Sequence, residues 1–533
     1  MKKIVTVTAT TTLNKQVLLD MFKSKGYTIY DAMPYSEYNF EAYLDQDAIL
    51  TLSDIPEIDG VMVGSLEDNG IFMSNAASLG GRVSPSRFVE PPAQDEISWH
   101  MSACSNETDQ FSTTNFLNLR YERNLTGKGV DIVSTETIYK FHPDFLDDNG
   151  NTRVVELNWP VASGTEATMP AMDMEKAYDT RIGLETNHGN AAWSCAAGRI
   201  TGFAKDAAIY SFPFWAKQGG GGYTFPQVVN MIWNWHLKKR AAGNMRPTVM
   251  SFSTAFFFGN LNFSYVKYRG TNVEVSINST PAQKATVGIG HTNNAFPADY
   301  AELRAEIKSA IDKGVICVNA AGNSNYYIDV PSGPDWNNQL RYRDTNGNDT
   351  GGFTYYNRGF GFPGPDIGGI QVGNCSDDIV EGKRRLTGDT SRGPGVTIHA
   401  PGDFLIMACT RGVGRGPNGT VTNAAGFGPE LPFNAGQYPG STDPDALRQR
   451  GGGTSFSAPL VAGIIATWAE ANPQLDAWGA LALIRQYQKT DRMYDGFPRS
   501  FTNNYAFWGD NLETDPPRFM FTPYANTIRS TIS

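Results

Sequence analysis

The most informative segment of the chain is Gly451-Gly452-Gly453-Thr454-Ser455-Phe456-Ser457-Ala458-Pro459-Leu460-Val461-Ala462-Gly463. A glycine-rich turn here delivers a serine directly before small and apolar residues at helical spacing. The pattern places the Ser455 hydroxyl and its backbone N–H at a helix N-terminus, where positive partial charge stabilises an anion. By itself it also fits a Ser/Thr helix cap after a flexible loop. It is not the Gly-x-Ser-x-Gly elbow of α/β-hydrolases.

Two other segments carry residues suited to catalysis. Thr186–Gly198 places His188 at the start of an alanine-rich helix, where its ring can face a cleft while small residues pack the helix closely. Gly314–Asn323 is an apolar strand ending in Ala-Ala-Gly-Asn, and the Asn323 amide can donate to a developing oxyanion. Alone, His188 is a weak signal, and Asn323 equally fits a turn residue in the left-handed conformation.

Together the three segments resemble the subtilisin-like serine proteases, the subtilase family. Thr454-Ser455-Phe456-Ser457-Ala458-Pro459 is similar to the family's nucleophile motif, Asn187-His188-Gly189-Asn190 to its histidine motif, and Ala321-Gly322-Asn323 to its oxyanion motif. Weaker matches lie between them in the family's order. The resemblance implies that Ser455 is the nucleophile, that His188 is the general base, and that Asn323 and the Ser455 N–H bind the oxyanion.

The resemblance also implies where a substrate side chain binds. The family's pocket positions fall on two segments, Ser251-Phe252-Ser253 and Ala320-Ala321-Gly322. Ser253 stands where the family commonly has glycine. We expect this serine to narrow the pocket, and the preferred side chain stays open.

The acid of the expected triad departs from the family pattern, which is usually Asp-Thr/Ser-Gly at the end of the first core strand. Counting from Gly129-Val130 places Glu136 at the acid position, whereas counting back from His142 lands on Thr135. The segment is therefore one residue short and lacks the glycine. Glutamate can orient and stabilise an imidazole as aspartate does. Asp131 is the competing candidate if the strand is irregular, and a third interpretation is that neither carboxylate reaches the histidine.

Alternating strand-like and helical runs after residue 128 predict a mostly parallel sheet between helices. With the resemblance, the expected fold is α/β, a subtilisin-like three-layer architecture. Residues 1–68 follow a β-α-β-β-α-β order, which predicts a ferredoxin-like α+β unit and resembles the family's inhibitory propeptide. The expected division is 1–68 as this propeptide-like domain, 69–127 as a linker and wrapping segment, 128–495 as the catalytic domain and 496–533 as a C-terminal tail.

Composition narrows the partners. The net charge of −10 and pI of about 5.2 argue against a nucleic-acid partner. Five scattered cysteines indicate neither a disulfide framework nor a zinc site. The sequence shows no signal-peptide pattern and no membrane span, so we expect a cytoplasmic or virion-associated protein. No cofactor or metal is required, although the oxygen-rich loops 147–151 and 344–349 could hold structural calcium.

The sequence thus predicts a serine endopeptidase acting on proteins or peptides, with its own N-terminal domain as a partner and cleavage between about residues 65 and 98. A catalytically silent subtilase fold, serving as a structural or binding component of a large assembly such as a virus particle, is the alternative. The altered acid motif, the retained N-terminal domain and long insertions at about 255–298 and 411–449 motivate it. A serine esterase on the same fold is a third hypothesis.

Overall fold

The structure is a computed structural model of the chain. It describes residues 2–34, 36–52, 55–63, 72–75, 99–105, 125–174, 177, 184–218, 222–258, 263–289, 296–297, 300–324, 326–359, 364–380, 382–387, 390–403, 405–410, 413–415, 421–423, 434–437, 446–493 and 517–522. Among these residues, no helix is both long enough and apolar enough to cross a membrane.

Strands are numbered in chain order. They are β1 (Lys3–Ala9), β2 (Thr28–Asp31), β3 (Asn39–Leu44), β4 (Ile58–Val63), β5 (Phe72–Asn75), β6 (Asp131–Ser134), β7 (Val154–Glu156), β8 (Ala208–Ser211), β9 (Thr248–Phe252), β10 (Thr254–Phe258), β11 (Tyr265–Tyr268), β12 (Thr271–Val273), β13 (Phe296–Pro297), β14 (Val315–Ala320), β15 (Gln339–Arg343), β16 (Asp349–Tyr355), β17 (Ile370–Val380), β18 (Lys383–Leu386), β19 (Ile398–Pro401), β20 (Leu405–Thr410), β21 (Val413–Arg415), β22 (Val421–Asn423), β23 (Asn434–Gln437) and β24 (Ala446–Gly451).

Helices are numbered in the same way. They are α1 (Thr12–Ser24), α2 (Gln46–Leu52), α3 (Trp99–Ser105), α4 (Trp159–Ser163), α5 (Leu184–Ala197), α6 (Phe225–Ala241), α7 (Pro281–Ala285), α8 (Ala301–Asp312), α9 (Thr454–Ala471) and α10 (Ala477–Tyr487).

A sheet of mainly parallel strands forms the centre of the larger part of the chain, here called the main domain. Its order is β18-β17-β14-β9-β6-β8-β7, with β19 also beside β17, and only β18 runs antiparallel to its neighbour. Every residue of β6, β9 and β14 is buried, as expected for strands covered on both faces. The predicted α/β fold with a parallel sheet between helices is confirmed.

Helices cover both faces of this sheet. Helices α5 and α9 share one apolar core with one face, and α6 and α8 share a second core with the other. The first pair approaches so closely that a Cβ atom on Gly463 would lie 2.3 Å from the carbonyl oxygen of Ala196. The small residues of α5 and α9 therefore set the spacing that brings the two helix N-termini together at the sheet's carboxyl edge.

The N-terminal unit, here the described residues between 2 and 63, has the element order β1-α1-β2-β3-α2-β4. Its four strands form an antiparallel sheet in the order β2-β3-β1-β4. Leu18, Leu19 and Phe22 of α1 fall on one helix face and pack into a core with the buried strand residues.

This unit lies against α8 of the main domain. A Cβ on Gly60 would meet that of Ala301 at 2.3 Å, and the Asn39 amide donates to the Glu302 carbonyl at 3.3 Å. Met33 is buried among residues of the α6–α8 core. Its φ of +43° shows that the chain bends sharply there to insert the side chain.

Two segments expected to be irregular contain ordered elements. Within the expected linker 69–127, α3 is buried in the main core, and β5 pairs with β10. Within the expected insertion at about 255–298, β11 and β12 join β15 and β16 in an antiparallel sheet. That sheet has an apolar core of its own, which includes Phe263, Leu340 and Tyr356. The second insertion, 411–449, lies largely outside the described residues.

The cysteines and the described part of the C-terminal tail are buried. None of Cys104, Cys195, Cys317, Cys375 and Cys409 forms a disulfide bond. Phe519 and Met520 of the tail pack into the main core, and the Met520 N–H donates to the His399 carbonyl at 2.8 Å.

Candidate active site

Ser455 is the second residue of α9, and its position depends on the glycines before it. Gly453 has φ 137° and ψ 161°, a conformation that essentially only glycine adopts, and its N–H bonds to the Gly402 carbonyl. Ser455 is fully buried, and its hydroxyl donates to the carbonyl of Ser253 at 2.9 Å. The helix N-terminus surrounds it with partial positive charge, as the sequence pattern predicted.

His188 lies on α5, and its ring is buried. Its Nδ1 is 2.7 Å from Oε2 of Glu136. Within the described part of the chain, its Nε2 has no hydrogen-bond partner. The centre of its ring is 5.4 Å from that of Phe456, the residue after Ser455. The histidine therefore stands between the carboxylate and the start of α9.

Glu136 reaches His188 because the loop after β6 lies directly on α5. A Cβ on Gly189 would lie 2.1 Å from the carbonyl oxygen of Thr137, so only glycine fits beside the histidine. Asn190 accepts a hydrogen bond from the Tyr139 N–H at 2.9 Å and fixes the far end of the loop. The Asn-His-Gly-Asn motif thus holds the carboxylate segment as well as the imidazole.

The electrostatics of His188 combine two opposing effects. Burial is the largest and by itself lowers the pKa of this histidine, but the negative charge and hydrogen bond of Glu136 outweigh it and raise the pKa above the ordinary value of 6.5. The arrangement favours a proton on Nδ1 held by the carboxylate, with Nε2 as the basic atom.

Asp131, the competing acid, lies elsewhere. It is fully buried at the opposite end of β6, where it accepts from Lys239 at 2.6 Å and pairs with Arg246 at 2.7 Å. Its two cationic partners account for an acidic residue in the core. Of the two candidate carboxylates, the structure brings only Glu136 to His188.

Asn323 follows β14 at the same edge of the sheet. Its side-chain oxygen accepts from the N–H of Thr454 at 2.9 Å and from the Thr454 hydroxyl at 2.8 Å. Because the amide oxygen of Asn323 faces Thr454, its NH₂ group points away from Thr454. Gly322 before it has φ +94° and donates to the same hydroxyl at 3.2 Å. Sequence reasoning missed this role of Thr454, although the residue stands directly before the serine.

The two predicted pocket segments converge at this edge. Parallel pairing of β9 with β14 sets Ser251 opposite Val318 and Phe252 opposite Asn319, so both strands end together. All six residues of the two pocket segments are buried. The next strand, β10, pairs antiparallel with β5, so that Asn75 stands opposite Thr254, one residue from the Ser253 carbonyl that holds the Ser455 hydroxyl.

The two loops expected to hold calcium are closed by their own hydrogen bonds. Asp147 accepts from the N–H groups of Asn149 and Asn151, and Asp344 accepts from those of Asn346 and Asn348. Among the described residues, no three His, Cys, Asp or Glu side chains are grouped to hold a metal ion. Calcium binding stays a prediction.

Comparisons with known proteins place the chain among proteases. The model of the subtilase family matches residues 133–499, which is more than half of the chain. No curated protein matches the sequence significantly.

Similar solved structures include a cold adapted subtilisin-like serine proteinase, with 14% identity over 80% of this chain and 98% of that one, and a TM-score of 0.40. Fervidolysin from Fervidobacterium pennivorans, a keratinolytic enzyme related to subtilisin, has 14% identity over 92% of this chain and 58% of that one, with a TM-score of 0.43. The epidermin leader peptide processing serine protease from Staphylococcus aureus has 14% identity over 92% of this chain and 93% of that one, with a TM-score of 0.41. The family match covers all three motifs, and the chain belongs to the subtilase family.

Proposed function

We propose that the chain is a serine endopeptidase that cleaves peptide bonds through an acyl-enzyme, with Ser455, His188 and Glu136 as its triad. The observation that carries the proposal is the 2.7 Å contact between Glu136 and Nδ1 of His188. This contact fixes the tautomer in which Nε2 accepts a proton, and the nucleophile candidate begins the neighbouring helix. Stability alone does not account for such a pair, because packed apolar residues often stabilise a core as well as a buried ion pair does.

The reaction would proceed in two steps. The Ser455 hydroxyl turns from the Ser253 carbonyl to Nε2 of His188, gives up its proton there, and its oxygen bonds to the scissile carbonyl carbon. The negative charge on the carbonyl oxygen is met by the Asn323 NH₂ group and the Ser455 N–H. The carbon–nitrogen bond then breaks as His188 returns the proton to the amine. Water repeats the sequence to release the acyl group.

We also propose that the N-terminal unit, together with strand β5 that follows it, inhibits this site. Strand β5 runs antiparallel to β10, so its carboxyl end points towards Ser253 and hence towards Ser455. A substrate strand bound at the same edge would use the same main-chain hydrogen bonds. Burial of Ser455 fits a site that is closed until this segment is cut and leaves.

A fluorophosphonate probe tests the proposal on the full chain. We expect time-dependent labelling, accompanied by loss of the N-terminal unit, and no labelling of Ser455→Ala. Ser457→Ala is the matched control, because Ser457 is also buried in α9 but donates to the Ala400 carbonyl.

The outcomes separate the hypotheses. Labelling with hydrolysis of a peptide substrate supports the endopeptidase. Labelling with ester but no peptide hydrolysis supports an esterase. A folded sample that stays unlabelled after removal of the N-terminal unit contradicts catalysis and favours a silent structural component.

A further inference from the structure

The backbone of Glu136 needs support from outside the sheet. Regular pairing of β6 with β8 ends at Ser134 and Ser211, and the N–H of Phe212 makes the last bond, to the Ser134 carbonyl at 2.7 Å. Glu136 stands two residues further on. A glutamate also has one more rotatable bond than an aspartate, so a small backbone shift moves its carboxylate further.

Two buried hydroxyls supply that support. The Ser134 hydroxyl accepts from the Glu136 N–H at 3.1 Å and lies 3.2 Å from the Glu136 carbonyl, to which it donates. The Ser211 hydroxyl donates to the same carbonyl at 2.9 Å. Both serines are fully buried and stand side by side at the ends of β6 and β8.

Hydroxyls at these positions are not required by the core. Ile132 and Ile209, two residues before the serines in the two strands, are apolar and fully buried, as is Val133. A serine in such surroundings costs stability unless it makes a hydrogen bond, and here both hydroxyls are directed to one peptide unit. That peptide unit belongs to the residue that holds His188.

We propose that Ser134 and Ser211 form a hydroxyl clamp, a pair of positioning residues that fixes the Glu136 backbone so that its longer side chain meets His188. This inference rests on the proposed function, because it assigns the clamp to the triad. The acid motif of this chain lacks the glycine-containing turn usual in the family, and the clamp positions the acid in its place. The hydrogen bonds described for the two hydroxyls run to the Glu136 backbone, so we assign both to act through Glu136.

The decisive comparison is Ser211→Thr against Ser211→Val, because the two side chains share a shape and differ in the hydroxyl. With valine, we expect kcat/KM to fall roughly tenfold, since small displacements of catalytic groups are costly. We expect threonine to restore most of it. Ser163→Ala is the control, because its buried hydroxyl bonds to the Trp159 carbonyl on α4, away from the site.

A second readout does not need activity. In full-length protein carrying Ser455→Ala, the His188 imidazole is titrated by NMR with ¹⁵N-labelled histidine, assigned with His188→Gln. Loss of the clamp loosens the contact with Glu136, so the pKa of His188 falls in Ser211→Val and in Ser211→Ala but not in Ser211→Thr.

The two readouts distinguish the possible failures. If the wild-type protein is inactive but the titration shifts as expected, the proposed function fails and the clamp stands. If folded Ser211→Val and Ser211→Ala titrate like Ser163→Ala, with the same pH dependence of kcat/KM, the clamp is wrong while the triad remains.

Discussion

Oε2 of Glu136 lies 2.7 Å from Nδ1 of His188, and both side chains are almost entirely buried. Because little of either side chain meets solvent, bulk water weakens their attraction only slightly. The length of the glutamate is absorbed by the path of its loop. A carboxylate and an imidazole held in this way determine how the protein responds to pH.

Replacement of Glu136 by glutamine removes the charge but keeps the shape. In the wild type, the pKa of His188 lies above its ordinary value, so we expect kcat/KM to rise with pH through a midpoint above 6.5. In Glu136→Gln, burial alone acts on His188 and the midpoint moves lower. The maximum rate falls by up to about 10⁴-fold, as in other triads that lose the charged acid.

Glu156→Gln is the control, because Glu156 pairs with Lys140 at 2.5 Å on the partly exposed side of β7. The pH–rate profiles of the three proteins provide the measurement. An unchanged midpoint in Glu136→Gln would contradict the role of Glu136.

Asn323→Ala removes the proposed oxyanion donor. We expect kcat to fall about 10²–10³-fold with little change in KM, the loss known for this donor in other proteases of the family. Thr454→Val should cause a smaller loss, because it removes the hydroxyl bond to the Asn323 oxygen but keeps the bond from the backbone N–H. Steady-state kinetics test both. A large rise in KM with constant kcat would instead place Asn323 in substrate binding.

Gly189→Ala introduces a methyl group 2.1 Å from the Thr137 carbonyl oxygen. Backbone must move, so we expect a loss of about 1–3 kcal/mol in the free energy of unfolding and a further loss of activity as Glu136 is pushed from His188. Gly129→Ala is the comparison, since nothing lies within 4 Å of its added Cβ and only backbone strain results. Equal activity in the two variants would show that the loop tolerates displacement.

Self-cleavage should occur shortly after Asn75. Going forward from Asn75, an antiparallel strand passes Thr254 and then Ser253, whose carbonyl holds the Ser455 hydroxyl. At about 3.3 Å per residue, the scissile bond is expected within roughly five residues of Asn75. Intact mass and N-terminal sequencing of the mature protein give the site. A new N-terminus before residue 72 would show that β5 is not substrate-like.

The contact between the N-terminal unit and α8 should weaken as pH rises. Glu306 is fully buried beneath this unit, and burial raises its pKa to about 7. Ser36, Glu37 and Lys15 face it from the N-terminal unit, and Asn230 and Trp233 face it from α6. If exposure returns the pKa to 4.5, docking takes up a proton, so its stabilisation is complete below pH 4.5 and is lost as pH approaches 7.

Hydrogen exchange of the N-terminal unit in the Ser455→Ala full chain measures this effect. Between pH 5.5 and 7.5, opening should rise roughly tenfold after correction for intrinsic exchange. This window lies below the pKa of Lys15, which burial lowers to about 8. Glu306→Gln imitates the protonated acid and should show no such rise. The same slope in both proteins would exclude Glu306 as the titrating group.

Much of the fold and three parts of the candidate site could be predicted from local sequence. The glycine turn before Ser455, the small residues after His188 and the apolar strand before Asn323 each have a physical reason within ten residues of chain. The choice between Glu136 and Asp131 as the acid could not be made from local sequence. Asp131 forms ion pairs with Lys239 and Arg246, which come close to it only when α6 packs on the sheet.

The missed elements share this dependence on distance. Helix α3 is a single short segment with partners hundreds of residues away, such as Arg492, which donates to the Ala103 carbonyl at 3.0 Å. Strand β11 pairs with β15, which lies about seventy residues later, and no local pattern indicates that pairing. The hydroxyl clamp likewise depends on two serines from different strands, Ser134 and Ser211, which meet at the Glu136 carbonyl.

Strand β13 pairs with β10 at Phe257 and Phe258, whereas β5 pairs with it from Thr254 to Phe257. A peptide that took the place of β5 in the same direction would have its carboxyl end towards Ser455. Main-chain hydrogen bonds are alike for nearly every residue type, so this pairing would select an extended chain and not particular side chains. Under the proposed function, discrimination between substrates would fall to the few groups at the ends of β9 and β14, where a small set of substitutions could redirect it.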